Sequence, residues 1–213
     1  MYLVKTPWWL RMLYPSLTWR IPAEEKILYL TFDDGPHETA TPFVLDTLGR
    51  YNAKATFFCI GNNVKQHPEI YRRILNDGHA TGNHTHQHLN GWKTPVNDYL
   101  ADIAAASEYI SSPLFRPPYG RISRAQLKAL RKKGADPANI IMWDVLSADF
   151  DTNLTPEACL AYVLYHCRPG SVIVFHDSQK AWPRLSHALP LVLDHFSKSG
   201  YSFRSITPAT SGR

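Results

Sequence analysis

Two adjacent carboxylates, Asp33 and Asp34, follow the apolar run 27–32 and are followed at once by Gly35 and Pro36. Carboxylates at the end of a buried segment are costly unless they are paired, protonated or bound to a cation. Adjacent carboxylates can also divide the work of a hydrolase, because one can bind a metal ion while the other acts as a base. The alternative is structural, since Asp-Gly-Pro is also favourable turn chemistry.

Three histidines, His84, His86 and His88, occur within five residues. On a strand all three would share one face, whereas on a helical turn His84 and His88 would pair and His86 would point elsewhere. The chain has already turned before this motif, which favours the second arrangement. Together with Asp34, two histidines leave coordination positions open for water, as a catalytic metal site requires. We expect one divalent ion there, with zinc the best match and cobalt or nickel as alternatives.

Three further polar residues follow apolar runs. Arg116 precedes two prolines, and its guanidinium could pair with a carboxylate. Asp149 lies beside the aromatic Phe150, and His176 closes the apolar run 172–175. A histidine at such a place can be a satisfied core residue, but a location shared with the metal ligands favours an acid–base role.

Short β-rich runs alternate with helical patterns along the chain, which predicts a mostly parallel sheet with helices packed outside it. Seven strands and no eighth are expected, at residues 27–32, 54–60, 79–83, 114–116, 140–145, 171–176 and 201–206. Both a doubly wound sheet and an incomplete barrel fit that number. The polar groups lie at the C-terminal ends of different strands, and in a βα-barrel those ends converge on one rim. We therefore expect an α/β fold built as a distorted, incomplete (β/α) barrel.

Neither repeats, low-complexity segments nor a linker interrupt this pattern. We expect one domain over residues 1–213, with a core of about 26–206 and an N-terminal extension, 1–25. The composition is typical of a globular protein, with 44% hydrophobic and 19% charged residues. The net charge of +5 favours anionic surroundings. The basic residues are scattered, however, which argues against a nucleic-acid partner.

The N-terminal extension is aromatic, with Trp8, Trp9 and Tyr14, but Arg11 and Pro15 interrupt it. Apolar segments of the chain fall short of the roughly 18 residues that a membrane span needs, and a clear signal peptide is not visible. We expect the extension to cap one end of the domain. The alternative is peripheral contact with a membrane surface, where Trp, Tyr and Arg are common. The location stays open between the cytoplasm and the envelope of a bacterium.

Five ordered segments make the chain resemble the polysaccharide deacetylases of carbohydrate esterase family 4, the NodB-homology domain. The segments are TFDDGP, HTHQH, RPPYG, SADF and VIVFHD. The resemblance runs from about Lys26 to Ile206. It implies a distorted barrel of fewer than eight strands. It also implies metal-dependent removal of N-acetyl groups from N-acetylglucosamine-type residues of a polysaccharide or oligosaccharide, such as peptidoglycan or a chitin-like chain, with release of acetate.

Carried over residue by residue, the resemblance implies a catalytic set that agrees with the residues singled out above. Asp34, His84 and His88 correspond to the metal ligands. Asp33 corresponds to the catalytic base and His176 to the catalytic acid. The base would take a proton from water, and the acid would protonate the departing sugar amine. His86 falls at a variable position of the motif and is expected outside the metal site.

Supporting roles follow from the same resemblance. Arg116 would orient the base, Asp149 would tune the acid, and the backbone N–H of Tyr119 would help to stabilise the oxyanion. The substrate would touch four positions: Pro117, Tyr119, Phe150 and Val174. The family often has Trp where this chain has Phe150, and Leu where it has Val174. Both changes stay apolar, so the pocket for the acetyl methyl should persist with a changed shape.

Two other functions stay open on the sequence. One is a metal-dependent hydrolase of a small cyclic or linear non-sugar amide, because the loops at the rim are short. The other is a catalytically silent glycan-binding module. Retention of both Asp33 and His176 argues against the second, since binding alone requires neither.

Overall fold

Residues 3–211 are described by a computed structural model, and within them six parallel strands form the sheet that positions the polar rim. The strands are β1 (Ile27–Asp33), β2 (Ala55–Cys59), β3 (Ala80–Asn83), β4 (Val145–Leu146), β5 (Val172–His176) and β6 (Ser202–Phe203). Their order is β3-β2-β1-β5-β4, and β6 also pairs with β1. The central strand β1 therefore lies between the strands that carry the other site residues.

The helices of the described part pack around this sheet. They are α1 (Trp8–Leu13), α2 (Ala40–Arg50), α3 (Gly61–Gln66), α4 (Pro68–Asn76), α5 (Val96–Ser107), α6 (Arg124–Lys132), α7 (Pro156–His166), α8 (Trp182–Lys198) and α9 (Pro208–Ser211). The start of α6 is a capping box, in which Ser123 and Gln126 satisfy each other's backbone N–H groups. None of these helices is long and apolar enough to cross a membrane.

Apolar side chains on the outer face of the sheet fix its register. The ring of Phe32 stacks on Phe57 at 5.0 Å and on Phe175 at 6.1 Å between centroids. These rings belong to the same buried cluster as the apolar side chains of α8. In this register Asp33 pairs with His176 across β1 and β5. Packing on the outer face of the sheet thus places the C-terminal ends of β1 and β5 side by side.

Isolated backbone bridges close the circuit between β3 and β4. Phe115 bridges Asn83 on one side and Ile140 on the other, both in parallel orientation. The segment that contains Ile140 continues into β4, where Leu146 pairs with Val174 of β5. Within residues 3–211, backbone pairing therefore continues from β3 to β4 through these bridges, and the parallel strands with helices around them confirm the expected NodB-like α/β fold.

The expected strands are wrong in extent at three places. The run 114–116 is reduced to isolated bridges at Phe115, because prolines flank it and cannot donate to a ladder. The run 140–145 is broken, since the side chain of Arg116 occupies the carbonyls of residues 141 and 142. The run 201–206 pairs only at Ser202–Phe203. After this strand, the N–H of Ile206 donates to the side-chain oxygen of Thr56 and not to a neighbouring strand.

The N-terminal extension is tied to the barrel through one buried carboxylate. Asp144 accepts hydrogen bonds from Lys5 Nζ at 2.7 Å and from Ser171 Oγ at 2.6 Å. The guanidinium of Arg11 also pairs with Asp144. Lys5 forms an antiparallel bridge with Val145, beside this cluster. The extension therefore covers the side of the barrel next to β4.

Candidate active site

Three side chains that could bind a metal ion converge at the C-terminal rim, the edge where the parallel strands end. Asp34 follows β1, and His84 and His88 follow β3. Asp34 Oδ1 lies 3.7 Å from His84 Nε2 and 3.2 Å from His88 Nε2. This oxygen is buried and accepts no hydrogen bond from the residues described. Electron-pair donors that face a common point without hydrogen bonds between them fit a divalent metal ion.

The ring orientation of His84 suits a metal ligand. Its Nδ1 lies 2.8 Å from the backbone carbonyl oxygen of Arg116. A carbonyl can only accept, so Nδ1 carries the hydrogen and Nε2 presents its lone pair to the site. Burial lowers the pKa of His84 to about 4, although the charge of Asp33 opposes the shift. The imidazole is therefore neutral at pH 7, as a ligand must be.

Asp34 is ionised in this environment. Burial disfavours the charged carboxylate, but contact with His88 and the positive charge of the His176 imidazolium outweigh it. Together they hold the pKa of Asp34 below its usual range. The donor set thus combines an anionic oxygen with neutral imidazole nitrogen.

The loop that carries the histidines is anchored by Asp102 of α5. Its Oδ2 accepts hydrogen bonds from the backbone N–H groups of His86, at 2.9 Å, and Gln87, at 3.0 Å. On the other side, Gly61 N–H donates to the carbonyl of Thr85 at 2.9 Å. Thr85 has a left-handed backbone with φ of 64°. The helical turn expected here is wrong, because these side-chain and loop contacts hold the segment in a bend instead.

His86 points away from the other two histidines. Its ring stacks on Tyr109, with centroids 5.7 Å apart. The rings of His84 and His88 lie 5.1 Å from each other. The structure therefore pairs the two histidines that the spacing favoured, although the backbone between them is not helical.

Asp33 is held by a buried guanidinium. Arg116 Nη1 donates to Asp33 Oδ1 at 2.7 Å. The same guanidinium donates from Nε to the carbonyl of Ile141 and from Nη2 to that of Met142, each at 3.0 Å. Asp33 Oδ2 lies 4.0 Å from His84 Nε2, on the side of the metal ligands. One carboxylate oxygen is thus fixed, and the other is available to a reactant.

His176 is oriented by Asp149, which is fully buried. Its carboxylate accepts hydrogen bonds from Nδ1 of the imidazole at 2.7 Å and from the backbone N–H of the same residue at 2.8 Å. Burial alone would lower the pKa of this imidazole. The charge and hydrogen bond of Asp149, helped by the charges of Asp34 and Asp33, raise that pKa to about 9. The imidazole is therefore protonated at pH 7 and can give up the Nε2 proton.

The remaining predicted residues surround this set. The ring of Tyr119 packs on His88 at 4.6 Å, and the ring of Phe150 packs edge-on against His176 at 5.2 Å. Val174 is buried on the inner face of β5. All but one of the predicted substrate contacts line the cavity that contains the site. Pro117 is buried and does not line it, and its carbonyl accepts a hydrogen bond from Gly120 N–H at 3.0 Å.

Strained backbone concentrates at the site. Within residues 3–211, six non-glycine residues have positive φ. Five of these lie in the polar motifs: Asp34, Thr85, His88, Tyr119 and Ala148. Such conformations cost free energy and persist where the surroundings impose them, which is common at functional sites.

Sequence reasoning missed the role of Asp177, which holds the loop after β1. Its carboxyl accepts hydrogen bonds from Gly35 N–H at 3.1 Å and from Thr41 Oγ1 at 2.5 Å. Its own N–H donates to the carbonyl of Asp33 at 3.1 Å. Burial raises the pKa of Asp177 to about 8, against the effect of the Thr41 hydrogen bond. An acid directly after His176 at the end of a buried strand was the available signal.

A carboxylate held by a buried guanidinium, an imidazolium held by a buried carboxylate, and three converging donors that fit a metal ion line one cavity. Such a combination is typical of metal-assisted hydrolases. A family model described as polysaccharide deacetylase matches residues 20–138. The chain belongs to the polysaccharide deacetylase family, as its five motifs predicted.

Similar proteins cover between 74% and 96% of the chain. A peptidoglycan-N-acetylglucosamine deacetylase of Bacillus cereus is 34% identical over 197 residues, which cover 90% of this chain and 91% of the relative. A chitooligosaccharide deacetylase of Azorhizobium caulinodans is 36% identical over 165 residues, 74% of this chain and 77% of the relative. A solved peptidoglycan N-acetylglucosamine deacetylase, in complex with 4-naphthalen-1-yl-N-oxidanyl-benzamide, has a TM-score of 0.85 at 31% identity and covers 96% of each chain. These similarities confirm the predicted family and enzyme class.

Proposed function

We propose that this protein hydrolyses N-acetyl groups on N-acetylglucosamine-type residues of peptidoglycan or a chitin-like glycan, and that acetate is released. The observation that carries the proposal is the placement of Asp33 and His176. Each is held by a buried charged partner, and both line the cavity that contains the three-donor centre. The relatives named as peptidoglycan and chitooligosaccharide deacetylases support this substrate class.

The chain's own residues supply the proton transfers. Asp33 Oδ2 accepts the proton of the attacking water, while Arg116 keeps Oδ1 in place. His176 delivers its Nε2 proton to the sugar nitrogen as the amide C–N bond breaks, and Asp149 stabilises the imidazolium until then. The backbone N–H of Tyr119 donates to the oxyanion. The sugar amine leaves with its glycan chain intact.

One divalent ion bound by Asp34, His84 and His88 completes the site. When bound, it would supply Lewis acidity to the acetyl carbonyl and lower the pKa of water. A carboxylate with two imidazoles suits zinc, and cobalt or nickel are the alternatives. The converging lone pairs and the orphaned Asp34 Oδ1 support this assignment.

Exposed aromatic rings at the cavity mouth support a glycan substrate. Trp92 and Tyr119 are 64% and 59% exposed, and both line the cavity. Their faces offer apolar contact to the C–H face of a sugar ring. The guanidinium of Arg121 lies 5.0 Å from the Trp92 ring, which holds the indole in place.

The decisive experiment measures acetate release and loss of acetyl mass from N-acetylglucosamine oligomers and peptidoglycan fragments. Activity should require added zinc, cobalt or nickel after chelation, and Asp34→Ala should abolish it. Asp46→Ala, which removes a carboxylate from a surface ion pair, is the matched control. Full activity of the metal-stripped protein would contradict the metal assignment. Glycan binding without turnover, whichever metal is added, would favour a binding module. Turnover of small non-sugar amides alone would favour a hydrolase of such amides.

We further infer that α1 rests on a membrane surface. Its side chains Trp8, Trp9, Met12 and Leu13 are 72%, 49%, 68% and 51% exposed. Exposed tryptophan with apolar neighbours on a basic protein is typical of interfacial helices. Co-sedimentation with anionic vesicles should fall in a double variant, Trp8→Ser with Trp9→Ser. Equal sedimentation of this variant and the parent protein would exclude the contact.

A further inference from the structure

The cavity that holds the active site extends well beyond the three-donor centre. Its volume is about 850 Å³, within the usual range for sites that enclose a whole organic ligand. It extends from the three-donor centre to the N-terminal extension. The apolar residues that line this extended part, which we call the apolar arm, are Leu3, Leu10, Leu17, Trp19, Met142 and Leu146.

The apolar arm begins where the acetyl methyl is expected to lie. Val174, one wall of the methyl pocket, pairs in register with Leu146. Leu146 N–H in turn donates to the carbonyl of Val4 at 2.8 Å. The wall therefore continues from the expected methyl pocket to the N-terminal extension.

The wall of the apolar arm is held in place by satisfied polar groups. Thr6 Oγ1 donates to the carbonyl of Trp143 at 2.7 Å, and Thr6 N–H donates to that of Asp144 at 3.0 Å. Trp19 Nε1 donates to the carbonyl of Tyr14 at 3.1 Å. These bonds take up donors that would otherwise face the arm. What the arm presents to a ligand is therefore mainly hydrocarbon and aromatic surface.

We propose that the apolar arm binds the acyl chain of substrates whose N-acyl group is longer than acetyl. The enzyme then removes linear acyl groups of several carbons from amino sugars. This inference rests on the proposed function, because the amide must lie at the same site. The chemistry balances as for acetyl: water adds its oxygen to the acyl carbon, the C–N bond breaks, and the nitrogen gains a proton. The products are a free carboxylic acid and the amino sugar.

The test is a series of chitooligosaccharides carrying acetyl, butanoyl or hexanoyl groups on nitrogen, assayed with the metal-loaded full chain. Each methylene that the arm buries should raise kcat/KM by up to about fourfold. The hexanoyl substrate should therefore match or exceed the acetyl substrate. In Leu10→Trp, a larger side chain fills the arm, and the hexanoyl-to-acetyl ratio should fall by at least about tenfold.

Two further variants keep this test interpretable. Leu3→Trp fills the arm from a position that is 49% exposed, so it should fold even if the first variant does not. Leu75→Trp makes the same change on α4, at a surface position 45% exposed, and should leave the ratio unchanged. Ligand-observed saturation-transfer NMR on the metal-free protein gives a second readout. Saturation should be strongest at the terminal methyl of the hexanoyl chain and should decline in both arm variants.

The outcomes separate this inference from the proposed function. Turnover of the acetyl substrate without the hexanoyl one overturns the apolar arm and leaves the deacetylase intact. Turnover of hexanoyl but not acetyl groups supports the arm and overturns the proposed acetyl substrate. If neither the acetyl nor the hexanoyl substrate is hydrolysed, both the proposed function and the acyl-chain inference are wrong. If the arm variants instead impair hydrolysis of alkyl glycosides of N-acetylglucosamine, the arm serves the leaving group and the acyl assignment is wrong.

Discussion

Arg116 and Asp33 form a buried ion pair, with Nη1 and Oδ1 2.7 Å apart. The guanidinium has further acceptors in Thr31 Oγ1, at 2.7 Å, and in the carbonyls of Ile141 and Met142. Burying a charge pair of this kind is costly unless every hydrogen-bonding group is satisfied. The network therefore holds the carboxylate in one orientation, with Oδ2 directed to the site.

Arg116→Lys should lower kcat by roughly 10- to 100-fold, which is the usual effect of losing a side chain that orients an active-site residue. Lysine keeps the charge but cannot reach the carboxylate and both carbonyls at once. Metal affinity should change little, since the backbone carbonyl that orients His84 remains. Kinetics at saturating metal, with calorimetric titration of the metal, would check this. Arg73→Lys alters a surface ion pair and should leave kcat unchanged. A parental kcat in Arg116→Lys would show that the pair does not position the base.

His88→Ala and His86→Ala should differ sharply in metal binding. His88 Nε2 lies 3.2 Å from Asp34 Oδ1, whereas the His86 ring stacks on Tyr109. Removing a ligand should weaken zinc binding by more than the roughly 10- to 100-fold that loss of a supporting residue costs. Titration of zinc into each metal-free variant measures the difference. Equal losses in the two variants would place His86 among the ligands.

The barrel and the chemistry-bearing residues could be predicted because they leave strong local signals. Apolar runs that end in polar residues mark the strands, and the DDGP and HTHQH segments mark the candidate metal centre. The spacing separated His86 from His84 and His88, although the segment is a bend and not the helical turn on which that expectation rested. These features depend on neighbours in sequence, which a pattern can capture.

What escaped prediction depends on contacts between distant segments. Asp177 touches Gly35 and Thr41, which lie 142 and 136 residues away in sequence. The left-handed bend at Thr85 is imposed by Asp102 and by the start of α3, a short helix that opens with a glycine and carries little periodic signal. The strand expected at 140–145 is broken by the buried Arg116 side chain.

The pKa of His176 predicts the alkaline limit of activity. This pKa is raised to about 9 chiefly because the charge and hydrogen bond of Asp149 overcome the effect of burial. The acid must be protonated to act, so kcat should be maintained at neutral pH and fall as pH rises through about 9. Asp149→Asn removes the charge, and its decline should begin at a lower pH. Profiles of kcat between pH 6 and 10 measure both. Asp194→Asn, on the surface of α8, should not change the pH at which kcat declines. If the alkaline decline of kcat is not shifted in Asp149→Asn, the assignment of His176 as the acid is wrong.

Asp144 should stabilise the fold by holding the N-terminal extension against β4. In Asp144→Asn, Lys5 and Arg11 lose their buried counter-charge, and Ser171 Oγ keeps only an amide partner. We expect the free energy of unfolding to fall by about 1–3 kcal/mol, as for other buried groups that lose a partner. Urea unfolding of the metal-free protein at pH 7 measures it. Asp194→Asn, in an exposed pair with Lys198, should change this free energy by less than about 0.5 kcal/mol.

The same variant should lose its effect in acid. Burial opposes ionisation of Asp144, but the hydrogen bonds from Lys5 and Ser171 outweigh it and hold the pKa below the unfolded value of 3.8. A group with a depressed pKa stabilises the folded state above its unfolded pKa, and this contribution is lost as pH falls through the folded one. The difference between Asp144→Asn and the parent protein should therefore be full at pH 7 and shrink below about pH 4. A difference that stays constant with pH would mean that the carboxylate acts through packing and not through its charge.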